Sequence, residues 1–456
     1  MAKDIALIPR LRDFWIGEAD LAPVALFRIL YGVQLFNWIW QLYPNLAAFF
    51  TDEGVLPRRS LLATYGDRFS LLNLVGEWWQ VAAFWLLSLG VAVLLAVGWR
   101  SRIAALAAFI VVSSFSWRDP LILDGSDFVF RVVPLWLAFT DCGARFSLDA
   151  LGRARRGEPN TGRGPALPVR ILELQIAWVY LATGLEKLGG ELWPSGIAPY
   201  YALQLEHTFG RSWARPVATS MALVPLISWA TLVIEIAFLP LALLPSRITR
   251  LLAVAGAAGL HLGIALLMNV GNFPVIMLSA LVLFVPAAPI ERTVRRVALR
   301  TELLRRLGPV ADMAIAALPQ RRGVPVRPGM RSWGGTALAC FALLAMATAV
   351  PSQLETLRPS GDLASLLRFL SVDQRWDMFS PEPARADGWM RMPAVLQDGT
   401  RLDLLTGGPA DDSSERYSDA LYTRWVKVQE RIASAAYSDY RLEYARHFCR
   451  SRNLHL

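Results

Sequence analysis

The feature that most constrains this chain is the recurrence of apolar runs about twenty residues long, the length needed to cross a bilayer as a helix. Hydrophobic residues make up 54% of the 456 and mean hydropathy is +0.38. Soluble domains hold about 45–50% apolar residues without such blocks. The periodicity predicts nine spanning helices at roughly 22–42, 79–98, 103–117, 127–141, 169–188, 217–244, 251–270, 273–289 and 333–350. The fold class expected is therefore an all-α polytopic membrane protein with a small α+β extracytoplasmic segment at its C-terminal end.

Charge orients these spans. The net charge is +9, yet the only lysines are Lys3, Lys187 and Lys427, and the arginines gather in alternate loops. Arg100 and Arg102, then Arg145, Arg153, Arg155, Arg156 and Arg163, then Arg247 and Arg250, and finally the stretch 292–331 fall on one side. The opposite loops are poor in arginine, and 119–127 is acidic. The positive-inside rule puts the arginine side, and the N-terminus, in the cytoplasm. It accounts for the basic charge without a nucleic-acid partner. Lys187 and residues 351–456 then lie on the outer side of the membrane. No cleaved signal peptide is expected, because the first twenty residues are charged throughout.

Two units follow: a transmembrane domain over 1–350 with an Arg-rich cytoplasmic loop at 290–332, and an extracytoplasmic segment over 351–456. Residues 1–20 read as a short interfacial segment, and 291–307 as an amphipathic helix on anionic headgroups. Asp398-Gly399 between two apolar stretches predicts a β-hairpin, and a helix is expected from about 414 to 448. The three cysteines are separated by the topology. No Cys/His spacing suits a metal and no Gly-rich loop suits phosphate, so no metal is predicted.

Ionisable residues inside spans carry the functional signal, since each is costly in hydrocarbon. They are Arg28, Arg131, Glu173, Glu186, Lys187, Glu235 and His261. At about 1.5 Å per residue, Arg28, Glu173 and Glu235 fall in the inner half, whereas Arg131, Glu186 and Lys187 share the outer side. An inner structural cluster (Arg28 with Glu173 or Glu235) and an outer functional cluster (Arg131, Glu186, Lys187) are expected. Against this, Lys187 as a snorkelling anchor at a helix end, and His261 as a hydrogen-bonded packing residue, are the plainer readings.

Three stretches resemble the horizontally transferred transmembrane (HTTM) domain family, which includes the vitamin K-dependent γ-carboxylases. Thr183-Gly184-Leu185-Glu186-Lys187-Leu188-Gly189 is similar to their Ala-Gly-Leu-Lys-Lys-Leu-Asp. His261-Leu262, Gly271, Phe273-Pro274 and Met277-Leu278 reproduce their His-Leu…Gly-x-Phe-Pro-x-x-Met-Leu, and 141–149 resembles the end of their fourth helix. Arg375-Trp376-x-Met378-Phe379-Ser380-Pro381 and Trp389 resemble the outer tail of bacterial members. The resemblance implies a reduced, vitamin K-like quinone as cofactor and carboxylase-type lyase chemistry. Lys187 would be the base and His261 would line the site. Arg131, Glu186, Trp193, Phe273 and Pro274 would contact substrate.

Two positions depart from the carboxylase pattern: Glu186 replaces the first lysine, and Asp124-Gly125-Ser126-Asp127-Phe128 stands where those enzymes carry Asn-Asn-His-Ser-Tyr. A second reading, from a different class, stays open: a non-catalytic accessory protein for export or maturation of a secreted peptide. Membrane lipid is a partner in both, and a peptide or protein on the outer side is the further partner.

Overall fold

The computed structural model describes residues 7–300, 332–411 and 424–453. Its principal helices are α1 (Leu7–Ile16), α2 (Ala22–Trp40), α3 (Trp78–Val97), α4 (Ser101–Arg118), α5 (Gly125–Phe139), α6 (Ala166–Leu188) and α7 (Leu223–Ala242). They continue with α8 (Arg247–Leu267), α9 (Phe273–Ala280), α10 (Ala287–Arg300), α11 (Ser332–Ala347), α12 (Trp425–Ala433) and α13 (Arg441–Asn453). From α2 to α9, each helix packs on the next, and α9 packs back on α2. The bundle therefore closes. Short antiparallel pairs join β1 (Glu18–Asp20) to β2 (Arg163–Pro165) and β3 (Pro393–Val395) to β4 (Arg401–Asp403).

Every apolar run forms a helix, but the expected count of nine spans is not reached by length and apolarity. Five helical stretches meet that measure: Ala22–Phe50, Trp78–Val97, Ala166–Leu188, Leu223–Ala242 and Arg247–Leu267. A sixth is reached if Phe273–Phe284 and Ala287–Val294, bent by 108°, form one span. The reasons are local. α5 has 15 residues and α11 has 16, short of the roughly twenty that hydrocarbon requires. α4 carries four serines among its 18 residues, which lowers its hydropathy. The run at 217–244 begins as a separate short helix, Arg215–Ala218, and becomes continuous only from Leu223.

α6 is the central helix, with 72% of its most apolar window buried, against 17% for α8. On α8 the buried residues are Ala253, Ala257 and His261, a stripe at four-residue spacing that faces the bundle. Leu251, Leu252, Leu262 and Leu266 stay exposed, the apolar exterior expected where lipid is the solvent.

One end of the bundle is stapled by arginine. Arg28, buried in α2, donates to the carbonyls of Leu95 (2.7 Å), Ala96 (3.0 Å), Cys142 (3.1 Å) and Phe146 (2.6 Å). The last carbonyls of α3 lack helical partners and carry the negative end of its dipole, so a guanidinium satisfies them. Gly98 caps α3 at φ 71, and a side chain there would collide with Arg28. Arg28 thus meets neither Glu173 nor Glu235, contrary to the expected inner cluster. Glu173 instead binds Arg170 (2.5 Å) and Arg250 (2.8 Å), and both guanidinium groups rest on Phe14 of α1. Arg145 bonds Glu291 and lies 3.3 Å from Asp20.

The opposite end receives the C-terminal segment. Arg424 pairs with Asp127 (2.7 Å) and Arg431 donates to the carbonyls of Leu121 and Leu123. Trp376, Leu367 and Val428 join the same apolar core as the bundle helices. The hairpin forms about Asp398-Gly399, with Gly399 at φ 85. The single helix expected over 414–448 is instead α12, a 3-10 turn at Ala435–Tyr440 and α13; the part before residue 424 lies outside the described residues. Of the amphipathic stretch 291–307, residues to 300 belong to α10, with Arg292 and Arg296 exposed, and the remainder lies outside the described residues.

Candidate functional site

Tyr180, Gly184 and Lys187 recur at four and three residues along α6, so they share one face. That face meets α7 and α8. Gly184 is the contact point, since a Cβ there would lie 3.0 Å from Glu235 Cβ and 3.1 Å from Ile236 Cγ1. The close approach places Glu235 within reach of Lys187.

Lys187 does not snorkel. Its side chain is 6% exposed and its Nζ donates to Glu235 Oε1 at 2.5 Å, while lying 4.5 Å from the centre of the Trp193 ring. Trp193, after the helix stop at Gly189-Gly190, is held over the ammonium by its own Nε1–H donated to the Phe379 carbonyl (2.8 Å). Ser228 fixes the Trp193 carbonyl from α7 (2.8 Å). A buried ion pair of this kind trades a large desolvation cost against attraction in a low dielectric, so each charge depends on the other.

A second polar pair lies beside the first. The Tyr180 hydroxyl and His261 Nε2 are 2.7 Å apart. Tyr180 stacks on Phe238 at 4.2 Å, and His261 meets Phe273 edge-on at 5.6 Å. The charge of Lys187 acts on His261, and that of Glu235 on Tyr180. Glu235 Oε2 and His261 Nδ1 are buried with no hydrogen-bond partner among the described residues. Buried polar atoms are rarely left so, and two in one cluster mark a place able to receive further donors and acceptors.

Lys187, His261, Trp193 and Phe273 are thus brought together, with Pro274 buried in the first turn of α9 beside Phe273. Arg131 and Glu186 are not. Glu186 points about 100° away from Lys187 on the helix and accepts from the Ser352 backbone N–H at 2.7 Å. Arg131, on α5, donates to the Asp373 carbonyl at 2.5 Å. The outer cluster of Arg131, Glu186 and Lys187 therefore does not form, because α5 and α7 both pack on α6 while Lys187 pairs toward α7. Sequence reasoning assigned Glu235 to structure and passed over Tyr180. The available signal was Tyr180's position two turns before Lys187 on an apolar helix.

A cavity of about 530 Å³ opens between the end of α6 and the C-terminal segment. Glu186, Thr348, Arg368, Asp373, Arg375 and Ser380 are among its lining residues; Lys187 and His261 are not. Among the described residues no group of three or more His, Cys, Asp or Glu could hold a metal ion.

A closed bundle of apolar helices with a charged pair in its core defines a membrane protein of the polytopic α-helical class. Within that class, the HTTM domain model matches residues 17–288, and the chain belongs to the HTTM domain family. The match contains Tyr180, Lys187, Glu235, His261 and Phe273, and stops before α11 and the C-terminal segment. An uncharacterized protein, YitO of Bacillus subtilis (strain 168), is 26% identical over 243 residues, covering 52% of this chain and 74% of its own. No solved structure matches.

Proposed function

We propose that this HTTM-family protein acts on a quinol or another lipid-soluble substrate, with Lys187 as base, in a manner similar to the vitamin K-dependent carboxylases. The observation that carries the reading is the Lys187–Glu235 pair, buried beneath Trp193 and next to the Tyr180–His261 pair. A surface anchor would place the ammonium in headgroups, whereas this one is enclosed. In this reading the protein lies in a bacterial inner membrane, the N-terminus is cytoplasmic and the C-terminal segment is extracytoplasmic.

The residues suit an aromatic diol. Trp193 and Phe273 supply apolar ring surface, and the open Glu235 Oε2 and His261 Nδ1 supply hydrogen-bonding positions. A reduced quinone would supply a phenolic O–H whose deprotonation opens reaction with oxygen. Lys187 and Glu235 would act as a unit: the ammonium would first pass a proton to the Glu235 carboxylate, and the neutral amine would then take the proton of the quinol O–H, leaving a quinolate beside the restored ammonium. His261, steadied by Tyr180, would orient the second oxygen. Low dielectric makes these interactions strong.

The test is quinol consumption by purified protein in detergent under oxygen, comparing wild type, Lys187→Ala and the charge-neutral double variant Lys187→Met/Glu235→Gln. Turnover in wild type and loss in both variants, with the double variant folded, supports the base. Absence of turnover in folded wild type removes it.

The cavity beside Glu186 and Asp373 favours a second reading. It lies where the C-terminal segment meets the bundle, and suits a peptide or protein partner for a non-catalytic role in export or maturation. Peptide crosslinking at Ser380 in quinol-inactive protein would support that role.

A further inference from the structure

Around Arg131 of α5, a second polar cluster has an unbalanced cation. Arg131 is 1% exposed and its guanidinium lies 4.6 Å from the Trp117 ring centre and 5.1 Å from that of Phe128. Arg68 lies 4.1 Å from the same Trp117 ring. The aromatic faces stabilise both cations but give no hydrogen bonds.

The charges close by do not cancel. Asp373 accepts from Arg68 at 2.6 Å and lies 4.0 Å from Arg131. Asp67 lies 3.7 Å from Arg68 and 3.0 Å from Arg368. Asp127, whose charge also reaches Arg131, is paired with Arg424 at 2.7 Å, so Arg68, Arg131, Arg368 and Arg424 face three carboxylates, Asp67, Asp127 and Asp373, which leaves one positive charge. Arg131 uses Nη2 on the Asp373 carbonyl. Its Nε and Nη1, the Arg68 Nε, the Trp117 Nε1 and the hydroxyls of Ser113 and Ser116 are buried without hydrogen-bond partners among the described residues, and the one carboxylate oxygen left open beside these donors is Asp373 Oδ1, 4.0 Å from Arg131. Ser113, Ser116 and Trp117 stand at i, i+3 and i+4, one face of α4. A buried charge with unmet donors is among the costliest states a protein can hold.

We propose that Arg131, Arg68 and Trp117, with Ser113 and Ser116, bind a small monovalent anion, a halide or a carboxylate, enclosed by the 371–376 segment. One such anion neutralises the excess charge and accepts from the open donors. This site is separate from the Lys187 cluster and does not depend on its chemistry.

The full chain, purified in detergent and exchanged into sodium gluconate, is melted while chloride, and separately formate, replaces gluconate at constant ionic strength. A ligand that binds only the folded state raises the midpoint. Either small anion should raise Tm by about 1–2 °C at several-fold excess over its Kd, since the shift for a given binding gain falls as the chain lengthens. A response to both identifies a general small-anion site, and a response to formate alone identifies a carboxylate site. Arg131→Gln should abolish the rise. If that variant does not fold, Trp117→Phe, which keeps both guanidinium groups and deletes one donor, should weaken the apparent affinity several-fold. Equal melting in all three salts, a rise that persists in folded Arg131→Gln, or, where only Trp117→Phe folds, a rise with unchanged anion dependence, overturns the site.

Discussion

Lys187 Nζ lies 2.5 Å from Glu235 Oε1, a cation on α6 and an anion on α7 neutralising one another within an apolar core. Both side chains are less than a tenth exposed, so neither is relieved by solvent if the other is lost. The pair is therefore a single electrostatic object. It also ties the C-terminal end of α6, where the chain turns at Gly189-Gly190, to the middle of α7.

Removing one partner should cost far more than removing both. Lys187→Ala leaves Glu235 buried and unpaired, and Glu235→Gln leaves the ammonium unpaired; each should destabilise by about 3–5 kcal/mol. Lys187→Met/Glu235→Gln should recover most of that loss. Thermal melting of the four proteins in one detergent measures the coupling. Additive losses in the double variant would show that the two charges do not depend on each other.

Gly184 sets the distance across which the pair forms. A Cβ at 184 meets Glu235 Cβ at 3.0 Å and Ile236 Cγ1 at 3.1 Å, and neither atom lies at the far end of a flexible chain. Gly184→Val should cost about 1–3 kcal/mol through overpacking and should reduce any Lys187-dependent quinol turnover, because the helices must part at the pair. Unchanged melting and turnover in Gly184→Val would mean that the α6–α7 contact is looser than this spacing requires.

The parts legible in the sequence were those with periodicity. The apolar runs located the helices, and the intramembrane ionisable residues they contain include Lys187, Glu235 and His261, although sequence reasoning assigns Glu235 to a structural cluster with Arg28. Their partners were not legible, because hydropathy gives helix positions and not their order around a bundle. Arg28 illustrates this: its partners are carbonyls at the end of α3 and in the turn after α5, which have no side-chain signature. Phe379 and Asp373 were hidden for another reason. They belong to an irregular segment, and its polar residues enter the core singly rather than along a face. Five of the nine expected spans meet the length and apolarity of a crossing helix, and α5 and α11 fall short of that length.

That irregular segment is fastened by amides. Gln374 and Gln175 exchange hydrogen bonds at 2.7 and 2.9 Å, and Trp136 and Trp376 donate to the same two side chains. Gln374→Leu leaves Gln175 Nε2 and Trp376 Nε1 without their acceptor, at about 1–3 kcal/mol for each unmet group. The expected result is faster trypsin cleavage at arginines after residue 357, with the bundle core still protected. Cleavage at the wild-type rate would place the hold on this segment elsewhere.

Asp119, in the turn after α4, gives a pH dependence with a defined sign. Burial pushes its carboxyl up to about 7 from an ordinary 3.8, against the opposing pull of Arg118. Between those values the folded protein keeps a proton that the unfolded chain has released, so raising the pH favours unfolding. The penalty grows from about pH 4 to about pH 7 and is constant above. Asp119→Asn removes the titration while its side-chain oxygen can still accept from the Leu121 N–H, as Asp119 does at 3.0 Å. The stability of the variant relative to wild type should therefore rise across that window and level off beyond it, followed by melting at stepped pH in one detergent. Parallel curves for the two proteins would mean that Asp119 ionises in the folded state as readily as in the unfolded chain, and that its burial is relieved by solvent.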